Sequence, residues 1–131
     1  MRTKIFDILR HKYVALTPEE EVRQQFVHFL IEVKHYPKEL LANEVEIQCG
    51  NKKLRCDTIL YSKELQPVMI AEYKAPQIEI TQRIFNQILD YNSLLSVPYL
   101  IMTNGRQTAC CKITDGNYEW LSDIPDYTDL H

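Results

Sequence analysis

The chain has 131 residues, 45% of them hydrophobic and 25% charged, with a formal net charge of −3. That length and composition predict one domain spanning residues 1–131, able to bury about two-thirds of its unfolded surface without disulfides. The mildly acidic balance argues against a dedicated sequence-independent DNA binder but leaves room for a metal site that gathers carboxylates.

Residues 1–16 mix basic and apolar side chains (Arg2, Lys4, Ile5, Phe6, Ile8, Leu9) and suit an extended arm or a short strand. A helix starts at Thr17, a good N-cap. Pro18 suits the first helical position, and Glu19, Glu20 and Glu21 complement the dipole. Val22, Phe26, Phe29, Leu30 and Val33 recur at steps of three and four and predict one buried stripe, broken near His35–Tyr36 and closed by Pro37. On this reading Arg23 and Gln24 are solvated surface residues.

From Leu41 the period becomes two. Val45 and Ile47 alternate with Glu44, Glu46 and Gln48, and Gly50–Asn51 signals a turn that returns the chain from Lys53 to Tyr61 as a hairpin partner. After the polar turn Ser62–Gln66, the run Val68–Ala71 predicts a central strand covered on both faces, ended by Pro76. Helical spacing resumes over 81–95, with Thr81 as cap and Ile84, Ile88, Leu89 and Leu95 facing the core. A buried strand over 98–102 follows. Asn104–Gly105 then signals a hairpin to 107–113, and a short strand runs over 118–121. The tail, 122–131, is polar after Pro125 and is expected to fray. The fold class is α/β: a central mixed sheet flanked by helices, in the order α-β-β-β-α-β-β, with the second helix joining two parallel strands.

Four cysteines (Cys49, Cys56, Cys110, Cys111) form no CxxC pair and read as reduced thiols of a cytoplasmic protein. Neighbours Cys110 and Cys111 should face opposite sides of a strand. The four histidines share no spacing. There is no apolar export segment and no run long enough to span a membrane.

One group of residues carries chemistry. Asp57 and Glu72 fall on adjacent predicted strands, and Glu72 and Lys74, two residues apart, emerge on one face. Two carboxylates and an ammonium converging there suit Mg²⁺, with Mn²⁺ able to substitute; the Tyr73 carbonyl is a further oxygen ligand. Such a site can cleave phosphodiesters, with Lys74 orienting water or stabilising charge at phosphorus. A third carboxylate is expected from the covering helix, with Glu20 preferred and Glu19 and Glu21 left open. Lys52, Lys53 and Arg55, beside Asp57, read either as a charged hairpin or as a DNA-backbone contact.

Asp57, a spacer of fourteen residues, and Glu72-x-Lys74 resemble the D-x(n)-E-x-K signature of the PD-(D/E)xK nucleases. Glu72-Tyr-Lys-Ala-Pro76 looks like the E-x-K-A-P form in the N-terminal nuclease domain of type I restriction enzyme R subunits. Gln87-x-x-x-Tyr91 is similar to the Q-x-x-x-Y motif of the RecB-like branch, and the helix at Thr17 stands where that family has its first helix. The resemblance runs from about residue 17 to residue 121. It implies a restriction-endonuclease-like core, a Mg²⁺-dependent DNA nuclease, and Glu20, Asp57, Glu72, Lys74, Gln87 and Tyr91 as site residues. It also implies DNA contact by Gln87 and Tyr91, partner subunits of a restriction complex or a homodimer, and no membrane. The chain departs from the pattern at Cys56, where proline would precede the aspartate, and it contains no Walker loop of a helicase motor. The competing reading is an inactive module of the same fold that binds nucleic acid or protein. A phosphate-cradling nucleotide binder would need clustered glycines, and only three glycines occur, all separate.

Overall fold

A computed structural model describes residues 2–130, including the side chains of all but residues 91–94. The first helix, α1 (Pro18–Glu32), begins as its sequence dictates: the Thr17 hydroxyl accepts from the Glu20 amide at 3.1 Å. Three strands follow, β3 (Leu41–Cys49), β4 (Lys52–Tyr61) and β5 (Pro67–Tyr73), then α2 (Gln82–Leu95), β6 (Tyr99–Thr103), β7 (Thr108–Thr114) and β8 (Asn117–Leu121). They form one six-stranded sheet in the order β3-β4-β5-β6-β7-β8. Every pairing is antiparallel except β5–β6, which runs parallel from Met69↔Tyr99 to Tyr73↔Thr103. α2 is therefore the crossover between two parallel central strands, as the sequence predicts.

The sheet is covered on both faces. Met69, Ala71, Tyr73, Tyr99 and Ile101 pack with Val22 and Leu30 of α1, while Ile70, Leu100 and Met102 pack with Phe85 and Ile88 of α2. This alternation along β5 and β6 follows from the two-residue period of a strand. Cys110 and Cys111 fall on opposite faces, and Cys56, Cys110 and Cys111 are free thiols. No helix among the described residues is long and apolar enough to cross a membrane.

Four expectations need correction. Residues 1–16 are neither an extended arm nor a single short strand, but a hairpin of β1 (Lys4–Asp7) and β2 (Lys12–Ala15). Asp7 makes its turn: Oδ1 accepts from the amides of Leu9 and Arg10 at 2.8 and 3.0 Å. Val33 is 55% exposed, because α1 ends one residue earlier and His35 turns into the left-handed region at φ 63°. Arg23 and Gln24 are buried rather than solvated. The described part of the tail, 122–130, does not fray. Ile124 is buried, the Tyr36 hydroxyl donates to the Pro125 carbonyl at 3.0 Å, and the Tyr127 amide donates to the Lys34 carbonyl at 2.9 Å.

Phe85 is fully buried and meets Trp120 edge-on at 4.9 Å, which ties α2 to the outer strand β8. Asn104–Gly105 does turn the chain, though through a longer loop than a two-residue hairpin. Asn104 is buried, its Oδ1 accepting from the amides of Arg106 and Gln107 and its Nδ2 donating to the Ile78 carbonyl.

Candidate functional site

A cleft of about 430 Å³ opens where α1 begins, lined by Val14, Ala15, Glu20, Arg23, Glu44, Asp57, Glu72 and Tyr73 among others. β4 and β5 bring Asp57 and Glu72 to it, one step beyond the Thr58↔Ala71 pair of their antiparallel register. The Tyr73 amide donates to Asp57 Oδ2 at 2.9 Å, which orients that carboxylate across the two strands. Among the described residues no hydrogen bond or ion pair reaches the Glu72 carboxylate.

The electrostatics divide the acids into two kinds. Burial, reinforced by the negative charge of Asp57, pushes the Glu72 carboxyl up to about 7. Burial also raises Asp57, against the opposing pull of the Tyr73 amide and the charge of Arg23. Both are carboxylates short of positive partners, the condition that a bound cation relieves. For Glu20 burial is outweighed: hydrogen bonds from Arg23 and Gln24, with the charges of Arg23 and Arg10, hold it below the usual range.

Arg23 organises this second group. Its Nε and Nη2 reach Glu20 Oε2 and Oε1 at 2.9 and 2.6 Å, Nη2 also reaches Glu44 Oε1 at 2.8 Å, and Nη1 donates to the Asp57 carbonyl at 2.9 Å. Arg10, arriving from the hairpin, and Gln24 reach the same Glu20 carboxylate at 3.0 and 2.9 Å. Glu44, which strand alternation grouped with the polar positions of β3, has φ 55° and turns its carboxylate into the cleft, where Oε2 also meets Arg55 Nε at 2.8 Å. No local pattern marks Glu44 for this position, and Arg10 is equally silent in the sequence.

The structure thus brings Glu20, Asp57, Glu72 and Tyr73 to one cleft. Lys74 follows directly: its amide donates to the Thr103 carbonyl at 3.0 Å, and its charge draws the carboxyls of both Asp57 and Glu72 down. Gln87 is exposed on α2 and lines no part of the cleft, and the Tyr91 side chain lies outside the described residues. Lys52 and Lys53 are exposed at the β3–β4 turn, while Arg55 is exposed but engaged by Glu44.

Among the described residues no three acidic, thiol or imidazole groups draw together as a ready cage for a metal ion. Mg²⁺ does not require one, since it is commonly held by one or two carboxylates and keeps several waters. Asp57 and Glu72, hard oxygen donors in no ion pair among the described residues, fit that ion; Glu20, already held by two arginines and an amide, is less available to it.

The model of the family described as type I restriction enzyme R protein N terminus matches residues 18–125, most of the chain. The chain belongs to that family. Among solved structures, the fragment structure of a putative HsdR subunit of a type I restriction enzyme from Vibrio vulnificus YJ016 is similar in fold, with a TM-score of 0.65 and 19% identity. The match covers 88% of this chain and 24% of that one, so this chain spans about a quarter of its structural relative. No curated protein matches. The restriction-endonuclease-like core expected from the sequence is the fold found here.

Proposed function

We propose that this R-protein N-terminal domain is a Mg²⁺-dependent deoxyribonuclease whose site is Asp57, Glu72, the Tyr73 carbonyl and Lys74. The observation that carries the reading is the pairing of Asp57 and Glu72 on adjacent strands. Both are short of positive charge, and Lys74 stands next in the chain. Burying two such carboxylates costs stability, and that cost makes sense if the site exists to hold a cation.

Asp57, Glu72 and the Tyr73 carbonyl would hold the ion, which when bound polarises phosphoryl oxygens and acidifies a water ligand. The Tyr73 amide keeps Asp57 oriented. Lys74 supplies a positive charge for the phosphate and a donor that can orient the attacking water. Glu20 acts on this reading by holding Arg23, whose Nη1 grips the backbone of Asp57. DNA is the substrate, and the domain works in the cytoplasm with the other parts of a restriction complex.

The second reading, an inactive module that binds nucleic acid or protein, is favoured by one observation. Glu20, the third acid, is consumed by Arg10, Arg23 and Gln24. Incubation of the chain with linear, supercoiled and single-stranded DNA plus Mg²⁺ or Mn²⁺, beside Asp57→Ala and Lys74→Ala, decides between them. Metal-dependent cleavage lost in both variants is expected. A folded protein that cleaves nothing and takes up no Mn²⁺ in calorimetry would overturn the nuclease.

A further inference from the structure

The β1–β2 hairpin lies outside the family match at residues 18–125, yet Val14 and Ala15 line the cleft. It is the basic part of an acidic chain: before Thr17 stand Arg2, Lys4, Arg10 and Lys12 against Asp7 alone. Arg10 is spent on Asp7 and Glu20, which leaves Arg2, Lys4 and Lys12 exposed and, among the described residues, in no ion pair.

The hairpin also carries an exposed aromatic pair. Phe6 and Tyr13 are direct cross-strand partners, 43% and 68% exposed, with ring centroids 5.2 Å apart at 70°. Tyr13 and Ala15 are two residues apart on β2 and so share a face, and Lys4 stands directly across from Ala15. One face thus runs from the cleft wall at Ala15, past Lys4, to the two rings.

The element is tied to the sheet by buried hydrogen bonds. Asp7 is completely buried and accepts from Asn43 Nδ2 at 3.1 and 3.2 Å; Asn43 in turn accepts from the Thr58 hydroxyl at 2.6 Å, and that hydroxyl accepts from Tyr73 at 2.9 Å. The Leu16 amide closes the hairpin on the Thr3 carbonyl at 3.0 Å.

We propose that this hairpin seats a single-stranded segment of the DNA beside the cleft, with bases stacking on Phe6 and Tyr13 and a phosphate meeting Lys4. The proposal rests on the nuclease reading above and adds to it a strand preference. Exposed rings offer a face to any unpaired base, whereas bases inside a duplex have both faces occupied by stacking. Lys4 supplies on that face a positive charge that the chain as a whole lacks.

The test is fluorescence anisotropy in EDTA with the whole chain, a labelled single-stranded oligonucleotide and a blunt duplex, across a salt series. The double variant Phe6→Leu/Tyr13→Leu keeps apolar bulk but removes the rings, and its melting curve shows that it folds. The wild type is expected to favour the single strand, and the leucine variant to lose about tenfold or more there with little change on duplex. Lys4→Glu is expected to flatten the single-strand salt slope by about 1. A wild type with no preference for single strands, or a leucine variant that binds them as tightly, overturns the hairpin's role. If cleavage by both proteins then persists, the nuclease reading survives alone; if the wild type binds and cleaves no DNA, both fall. Loss of self-association by the leucine variant in sedimentation velocity, with DNA binding unchanged, would overturn the proposal and make the rings a contact between copies.

Discussion

Replacing Asp7 by alanine tests how the N-terminal hairpin is fastened to the sheet. The carboxylate accepts from two turn amides, from Arg10 Nε and from Asn43 Nδ2, all at a site closed to solvent. Alanine leaves those donors without their acceptor, and the loss expected at pH 7 is about 2–4 kcal/mol. Burial alone would raise this carboxyl, but the hydrogen bonds from Arg10, Asn43 and Leu9 lower it from 3.8 to about 2. Since the folded value lies below the unfolded one, ionisation contributes stability above about pH 4, and that contribution disappears as pH falls through 2. The gap between those values is worth about 2 kcal/mol, and about half of it is gone by pH 3. Urea unfolding of wild type and Asp7→Ala at pH 7 and pH 3 measures it. The difference between the two proteins should be largest at pH 7 and shrink by about 1 kcal/mol at pH 3. A difference below about 0.5 kcal/mol at pH 7, or one that does not change with pH, would refute the claim that this charge pins the hairpin.

Two other substitutions separate structural from chemical roles in the cleft. Glu20→Ala leaves the buried Arg23 guanidinium short of its main partner and should cost about 3–5 kcal/mol in chemical denaturation; a variant of wild-type stability that has lost metal-dependent cleavage would instead make Glu20 a ligand. Glu72→Gln should act oppositely. The raised carboxyl, about 7 against 4.5, means that the ionised side chain weakens the metal-free fold as pH rises through that window. At pH 8 without metal the glutamine variant should therefore melt higher than wild type, by about 1–3 kcal/mol in stability, and should gain nothing from added Mg²⁺. A lower melting temperature would show that Glu72 is compensated by a partner.

Much of the frame was legible residue by residue. Thr17-Pro18 marks the start of α1, Gly50 the turn between β3 and β4, and Pro67–Ala71 a strand covered on both faces, because caps, turns and burial periods depend on near neighbours. The Asp57 and Glu72-x-Lys74 spacing placed two acids at one point of the sheet for the same reason: hairpin register and strand alternation are local rules. Exposed Val33 and the packed tail were misread where a helix end and a distant docking surface decide burial. The hairpin at the N-terminus carries no Asn-Gly or Asp-Gly signal; its turn is made by Asp7, whose partners include Asn43 in another strand.

What the sequence determined by itself, then, is the order of elements, the crossover between β5 and β6, and the acids that share the strand ends. The tertiary structure alone decided how those acids differ. Glu20 reads like its neighbours Glu19 and Glu21, yet only Glu20 is buried, held by Arg10 from the hairpin and Arg23 from its own helix. Glu44 enters the cleft from a left-handed backbone position and meets Arg23 there. Glu72 has no ion pair among the described residues, and burial keeps its carboxyl raised. Charges settle against whichever opposite charge the folded chain delivers, and those partners come from segments far apart in sequence, where no local pattern can announce them.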